Sequence, residues 1–251
     1  MATWKKNQRK YFRGGDNFEV VMIADRDGNI GGSDGPVITL PIGRSAINKF
    51  GYTGTDVNGT ATAWDANNTT AVYPYPAAGV VSCASTDVGD TGESIEIEGL
   101  DDNYNVVTET ILVGGSGTQT FLRIYRARMT TATNAGVVTI NQGGNLAAQI
   151  LTGNGQTLMA VYTIPAGKRG YLLKFQGSAD KSTDVKFKLF ARTFGESFNL
   201  KGQWGTQGGN PITYDYPIPL QFEEKTDIRV DVTTGASCGC GAIFDILLVD
   251  V

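Results

Sequence analysis

Apolar and polar residues alternate along much of the chain with a period of two, which is the period of a β-strand. The clearest alternation lies in residues 157–176, where Leu158, Tyr162 and Ile164 share one side of the first half. The tripeptide at 165–167, Pro-Ala-Gly, interrupts it and predicts a turn, because proline presets φ and glycine accepts a positive φ. We therefore expect a β-hairpin at this position.

The same alternation continues to residue 251 and predicts a series of short strands. These strands are predicted at Asp184–Arg192, Thr213–Tyr216, Ile218–Phe222, Thr226–Thr233 and Ala242–Val249. Short strands separated by glycine-rich and proline-rich turns are typical of a β-sandwich. We predict that residues 154–251 form a jelly-roll-like sandwich, in which the prolines around residues 213–222 mark edge strands.

The first half of the chain shows a similar pattern and predicts a second β-sandwich over residues 18–153. Its strands are predicted at Phe18–Ile23, Val37–Leu40, Val80–Ser85, Ser94–Gly99, Val106–Val113, Thr120–Met129, Val137–Ile140 and Leu146–Leu151. Residues 51–71 are polar and rich in Gly, Thr and Asn, so we expect a long loop there. Loops of this length are commonly functional or held by a partner, and Trp64 is the candidate anchor.

Composition agrees with an all-β chain and changes the picture of its surface. Glycine accounts for 33 of 251 residues, and only 18% of residues are charged. Charged residues usually make up about a quarter of a globular domain. The low charge suggests a surface that is neutral or covered in an assembly.

Charge is unevenly distributed, because residues 1–15 carry five cations and no acidic residue. The whole chain has a net charge of −4, so an arm of +5 leaves −9 on the remainder. An acidic body argues against nucleic acid as a partner, whereas the basic arm suits an acidic partner surface. We predict an extended arm over residues 1–17 that docks on a neighbour, with three aromatic side chains buried only against that partner or the body. The proposed docking residues of the arm are Trp4, Lys5, Lys6, Arg9, Lys10, Tyr11, Phe12 and Arg13.

Catalytic and metal-binding chemistry is not predicted. The chain has no histidine, which excludes Ser-His-Asp and Cys-His catalysis and most catalytic zinc sites. We expect no cofactor, no bound metal and no enzymatic activity. The three cysteines, Cys83, Cys238 and Cys240, are either free thiols or include a contact between Cys83 and one of the other two. No apolar segment approaches the ~20 residues that span a bilayer, so no membrane partner is expected.

Several segments together resemble a family of virion structural proteins of tailed bacteriophages, many from aquatic phages of cyanobacteria. The resemblance covers residues 45–251. It rests on Lys49–Tyr52, Ala63–Asp65, Tyr73-Pro74, Ile97–Asn105, Glu109-Thr110, Phe121–Ile124, Asn134–Gly136, Gln156–Tyr171 and Glu224–Ile228. It implies a non-enzymatic role in the virion, which is assembled in the bacterial host cytoplasm.

Two functional hypotheses follow. In the first, the protein is a capsid decoration, cement or fibre-like protein that docks on the major capsid protein, forming a homo-oligomer such as a trimer. In the second, it is a tail or tail-fibre component that binds host glycans through Trp204, Tyr214 and Tyr216, because aromatic rings stack on sugar rings. A secreted glycosidase or lectin is a third reading, and no signal peptide supports it.

Overall fold

The computed structural model describes residues 43–251, which form sixteen β-strands and one short 3-10 helix. The strands are β1 (Arg44–Tyr52), β2 (Val57–Thr62), β3 (Gly79–Ser85), β4 (Ser94–Leu100), β5 (Val106–Leu112), β6 (Ser116–Phe121), β7 (Arg123–Met129), β8 (Val138–Gln142), β9 (Asn145–Ile150), β10 (Val161–Thr163), β11 (Lys168–Ala179), β12 (Val185–Arg192), β13 (Asn199–Thr206), β14 (Ile212–Phe222), β15 (Asp227–Cys238) and β16 (Cys240–Asp250). The 3-10 helix is Val88–Asp90. The all-β prediction is confirmed.

The C-terminal half forms a sandwich of two antiparallel sheets. One sheet has the order β1-β16-β11-β14, and the other has the order β10-β15-β12-β13 with β2 paired to β15. Side chains from both sheets meet in one core, in which Phe175 and Phe244 from the first sheet pack with Phe187, Val230 and Val232 from the second. Alternate residues of β12 are buried, as a strand with one face on a core requires. The jelly-roll-like sandwich predicted for this half is confirmed.

The first half also forms a sandwich, with a separate core. Its sheets are β6-β3-β8-β9 and β5-β4-β7. Ile95 and Ile97 of β4 point inward and pack with Val81, Phe121 and Ile140. Each such side chain contributes roughly 1.5–3 kcal/mol when it is removed from water. These buried contacts give the first sandwich a hydrophobic core of its own.

The predicted boundary between the sandwiches needs one correction. Strands β1 and β2 precede the first sandwich in sequence but pair with β16 and β15 of the second. In β2, Ala61 lies opposite Val232. The predicted loop at 51–71 is therefore wrong over β2, where Val57 and Ala61 are buried. Local alternation cannot reveal a pairing between segments about 170 residues apart, because it reports only which face of a strand is buried.

Part of the sequence-based prediction lies outside the described residues. This applies to the arm at residues 1–17 and to the strands predicted at 18–23 and 37–40.

The two sandwiches are joined by a cluster of arginine and aromatic side chains. The guanidinium carbons of Arg123 of β7 and Arg192 of β12 lie 5.3 and 4.9 Å from the ring centroid of Tyr75. Those of Arg192 and Arg229 lie 4.5 and 4.2 Å from the ring centroid of Phe198, and the Tyr75 and Phe198 centroids are 5.1 Å apart. Buried Asp227 accepts hydrogen bonds from Arg123, Arg192 and Thr163, which stabilises cations that would otherwise be desolvated without a partner.

Candidate binding surface at the edge of the second sandwich

Three aromatic side chains, Trp204, Tyr214 and Tyr216, meet where the two sheets of the second sandwich end side by side. Strands β13 and β14 are the edge strands of their sheets. The ring centroid of Trp204 lies 5.9 Å from that of Tyr214 and 6.4 Å from that of Tyr216. The two tyrosine rings are 4.9 Å apart in an edge-to-face arrangement. We call these three residues the aromatic edge. They are the residues predicted from the sequence as a possible glycan-binding set, and the fold brings them together.

Strand register explains why the three rings converge. Trp204 lies opposite Phe187 on β12, and Tyr214 lies opposite Phe175 on β11. Directly opposite residues share a face in an antiparallel pair, and both phenylalanines are in the core. Trp204 and Tyr214 therefore point toward the gap between the sheets, at its open side.

Trp204 is held firmly in place by its neighbours. Its ring stacks on Phe175 with centroids 4.1 Å apart and planes 12° apart. A Cβ atom added to Gly202 would lie 2.6 Å from the Trp204 ring, so the ring needs a glycine at this position. Trp204 is half-buried, and it partly completes the core rather than standing free on the surface.

Next to the aromatic edge, β14 bulges out of its sheet. Leu173 of β11 lies alone opposite residues 216–219, Tyr-Pro-Ile-Pro, because the register shifts between Leu172 and Lys174. Ile218 at the tip of this bulge is 85% exposed. Two prolines without N–H groups flank it, which suits a segment that has left the hydrogen-bonded ladder. The prolines predict an edge strand here, but the exposure of Ile218 is not predictable from the sequence, because an apolar residue in an apolar run gives no local sign of exposure.

The aromatic edge is electrically neutral at physiological pH. Burial and the neighbouring Tyr214 raise the pKa of Tyr216 to about 12. Its Oη atom is buried and has no hydrogen-bond partner among the described residues. The edge therefore offers aromatic and aliphatic contact area, and its affinity for a partner would rest on apolar burial.

Trp64 is the predicted docking residue that lies in the described part of the chain. The prediction that its side chain contacts a partner at the surface is wrong. Its side chain has 0% exposure and lies in the core of the first sandwich. Its Nε1 donates to the carbonyl oxygen of Thr70, and its ring packs edge-to-face on Tyr73 at 5.1 Å. A tryptophan in a polar segment can equally be the residue that packs into the core and holds the segment in place. The eight docking residues of the arm lie outside the described residues.

The described residues show little reactive chemistry. Within residues 43–251, no group of three or more acidic or cysteine side chains is arranged to hold a metal ion. Burial raises the pKa of Cys83 to about 12, which disfavours the thiolate. All three cysteines are free thiols. Cys83 lies in the core of the first sandwich, whereas Cys238 and Cys240 lie in the core of the second. The alternative prediction, a contact between Cys83 and one of the other two, is therefore wrong. The same residues contain no helix long and apolar enough to cross a membrane.

These observations define a class: an all-β protein of two sandwiches, the second jelly-roll-like, with an aromatic edge. No protein-family model and no curated protein matches the chain. Among solved structures, it is similar to TmCBM61 in complex with β-1,4-galactotriose, at 12% identity over 74% of this chain and 94% of that one, with a TM-score of 0.24. It is also similar to the structure of infectious bursal disease virus, Gt strain, at 8% identity over 82% of this chain and 72% of that one, with a TM-score of 0.21. Likenesses this weak assign no function.

Proposed function

We propose that the protein is a non-enzymatic structural protein of a bacteriophage virion, a capsid decoration, cement or fibre-like protein. It docks on a neighbouring virion protein through the aromatic edge and the bulge at residues 216–219, together with the basic arm. The resemblance to virion structural proteins over residues 45–251 gives the setting. The observation that carries the docking role is Ile218, which is 85% exposed on the edge strand β14, two residues after Tyr216 of the aromatic edge.

An exposed apolar residue on an edge strand is costly for a free protein. Edge strands present unpaired backbone groups that invite association, and proteins commonly protect them with charged side chains, prolines or bulges, or cover them. Here the two prolines and the bulge protect the backbone of β14 but leave the Ile218 side chain exposed, two residues after Tyr216. Burying Ile218 and the open face of Tyr214 against a partner would remove this apolar surface from water.

Quantitative mass spectrometry of purified particles tests the setting. A capsid decoration protein is expected at hundreds of copies per particle, because it repeats with the symmetry of the shell. Absence of the protein from purified particles would overturn the proposal.

The second candidate is a tail or tail-fibre component whose aromatic edge binds a host glycan. It is favoured by Tyr214, which is 42% exposed at a point where two other rings converge. This candidate predicts a few to a few tens of copies per particle. Antibody labelling on the tail rather than the head would support it.

Binding to the host surface tests the glycan role directly. Tyr214→Ala removes the most exposed ring, whereas Trp204→Ala would also remove the stack on Phe175 and disturb the core. Loss of binding in Tyr214→Ala, with an unchanged melting temperature, supports a glycan role for the edge. Unchanged binding would contradict it.

A further inference from the structure

A groove crosses the outer face of the four-stranded sheet of the second sandwich. It is lined by residues 50–52 of β1, 176–178 of β11, 211–213 at the start of β14 and 241–243 of β16. All four strands of the sheet contribute, so the groove runs across the strands. Its volume of about 360 Å³ lies in the range of about 300–1,000 Å³ that is usual for ligand sites.

The floor of the groove depends on a glycine. Gly241 lies opposite Ser178 on the neighbouring strand. A Cβ atom on Gly241 would lie 2.8 Å from the Ser178 Oγ atom and 3.1 Å from Cδ2 of Tyr52. Gly241 has no positive φ, so its backbone conformation does not require glycine. The glycine instead allows the Ser178 hydroxyl and the Tyr52 ring to pack closely against the backbone of β16 in the groove.

The lining combines flat apolar surface with hydrogen-bonding groups. Phe50 and Tyr52 on β1 supply two aromatic rings at one end. Gln176, Ser178 and Thr213 supply an amide and two hydroxyls, and the Gln176 Nε2 atom donates to Thr213 Oγ1 at 3.3 Å. None of the described residues that line the groove carries a charge.

We infer that this groove is a binding site for a neutral oligosaccharide. Sugar rings present apolar C–H faces that stack on aromatic rings, and hydroxyl groups that pair with amides and hydroxyls. The lining described above supplies both kinds of contact. An acidic glycan would have to leave water for a groove that offers no cation and whose Tyr52 hydroxyl is hydrogen-bonded to the Asp180 carboxylate, which is unfavourable.

The groove and the aromatic edge share only β14, and they lie on opposite faces of that strand. Thr213 lies opposite Gln176 and faces outward with it, whereas Tyr214 lies opposite the core residue Phe175. Glycan binding in the groove therefore does not depend on docking through the edge. Failure of one proposal would leave the other intact.

The test uses the full chain on an array of neutral gluco-, galacto- and manno-oligosaccharides, with uronic and sialylated oligosaccharides as the acidic set. The strongest neutral oligosaccharide is then titrated by calorimetry into wild type and variants. Gly241→Ala displaces the Ser178 hydroxyl and the Tyr52 ring from their positions in the groove, and Gln176→Ala removes the amide. We expect each variant to weaken binding roughly tenfold or more, as loss of a well-placed polar or shape contact does.

Gly235→Ala is the matched control, because a Cβ atom at this exposed glycine meets nothing within 4 Å. It should bind as wild type, and melting temperatures should show that all three variants are folded. The inference is overturned if no neutral oligosaccharide binds at millimolar concentration, if only acidic ones bind, or if the groove variants bind as tightly as Gly235→Ala.

Discussion

The Arg123 Nε atom donates to Asp227 Oδ1 at 2.8 Å, and this hydrogen bond joins the two sandwiches. Arg123 begins β7 of the first sandwich, and Asp227 begins β15 of the second. The Arg123 Nη2 atom also donates to Oδ2 of the same carboxylate at 3.0 Å, so the pair is bidentate. Both side chains are largely buried. The junction therefore rests on a charge pair in which Arg123 of the first sandwich finds its carboxylate partner only in the second, where Arg192 shares the same carboxylate.

Replacing Asp227 with Asn should destabilise the protein strongly. The change leaves Arg123 and Arg192 without their shared carboxylate in a buried setting, and breaking a buried pair from one side typically costs about 3–5 kcal/mol. Urea unfolding of wild type and variant measures the loss. Asp215→Asn is the control, because that carboxylate is exposed and lies 4.0 Å from its partner Lys174. Equal stability of both variants would contradict the role given to Asp227.

The Asp227 carboxylate also predicts that the protein loses stability at acid pH. The hydrogen bonds and charges of Arg123 and its neighbours outweigh the effect of burial and lower the pKa of Asp227 below its ordinary value of 3.8. A lowered folded-state pKa contributes stability that is present above pH 3.8 and is lost as pH falls through the folded-state value. The stability difference between wild type and Asp227→Asn should therefore shrink below pH 3.8. A difference that stays constant down to pH 2 would contradict this.

Lys49 predicts the opposite kind of pH dependence. Burial and the nearby Arg126 lower its pKa from 10.5 to about 7. The unfolded chain therefore holds the proton more tightly, and stability should rise with pH between about 7 and 10.5. Lys49→Met keeps the aliphatic bulk but loses the hydrogen bond from Nζ to the Tyr125 carbonyl oxygen, so the test is the pH trend: wild type should gain stability relative to Lys49→Met as pH rises from about 7 to 10. Denaturant unfolding at several pH values measures this, and a stability difference that does not change with pH would contradict it.

Trp64 predicts a loss of stability rather than a specific loss of docking. Trp64→Ala would leave a cavity in the first core, at a cost of roughly 3–5 kcal/mol. Trp64→Phe should cost less, because it keeps most of the packing against Tyr73 while losing the hydrogen bond to Thr70. Thermal unfolding of both variants is the measurement. Wild-type stability in Trp64→Ala would mean that the side chain is not a core residue.

The sequence predicts burial best where it depends only on the alternation within one strand. The alternation in β12 predicted that Phe187 and Leu189 are buried, and both are. The polar stretch around Trp64 was misread, because β2 is stabilised by pairing with β15, far along the chain. The groove could not be predicted, because Tyr52, Ser178 and Gly241 become neighbours only when β1, β11 and β16 form one sheet. The three residues of the aromatic edge could be named from the sequence. The convergence of their rings could not, because it depends on the strand register of two separate sheets.

The central claim is that the protein docks in a virion through the aromatic edge and the bulge that carries Ile218. The most direct measurement is a competition for incorporation. Ile218→Asp and Val88→Asp are each co-expressed with tagged wild type during infection, and the ratio in purified particles is measured by mass spectrometry. Val88 is the matched control, because it is 88% exposed and lies on the first sandwich, away from the edge.

Both substitutions place one carboxylate on an exposed apolar site, so both proteins should keep the wild-type melting temperature. The account predicts that Ile218→Asp is depleted from particles at least tenfold relative to wild type, roughly the effect of leaving a charge unpaired in an apolar contact, while Val88→Asp is incorporated normally. Equal incorporation of Ile218→Asp and wild type would contradict docking through this edge.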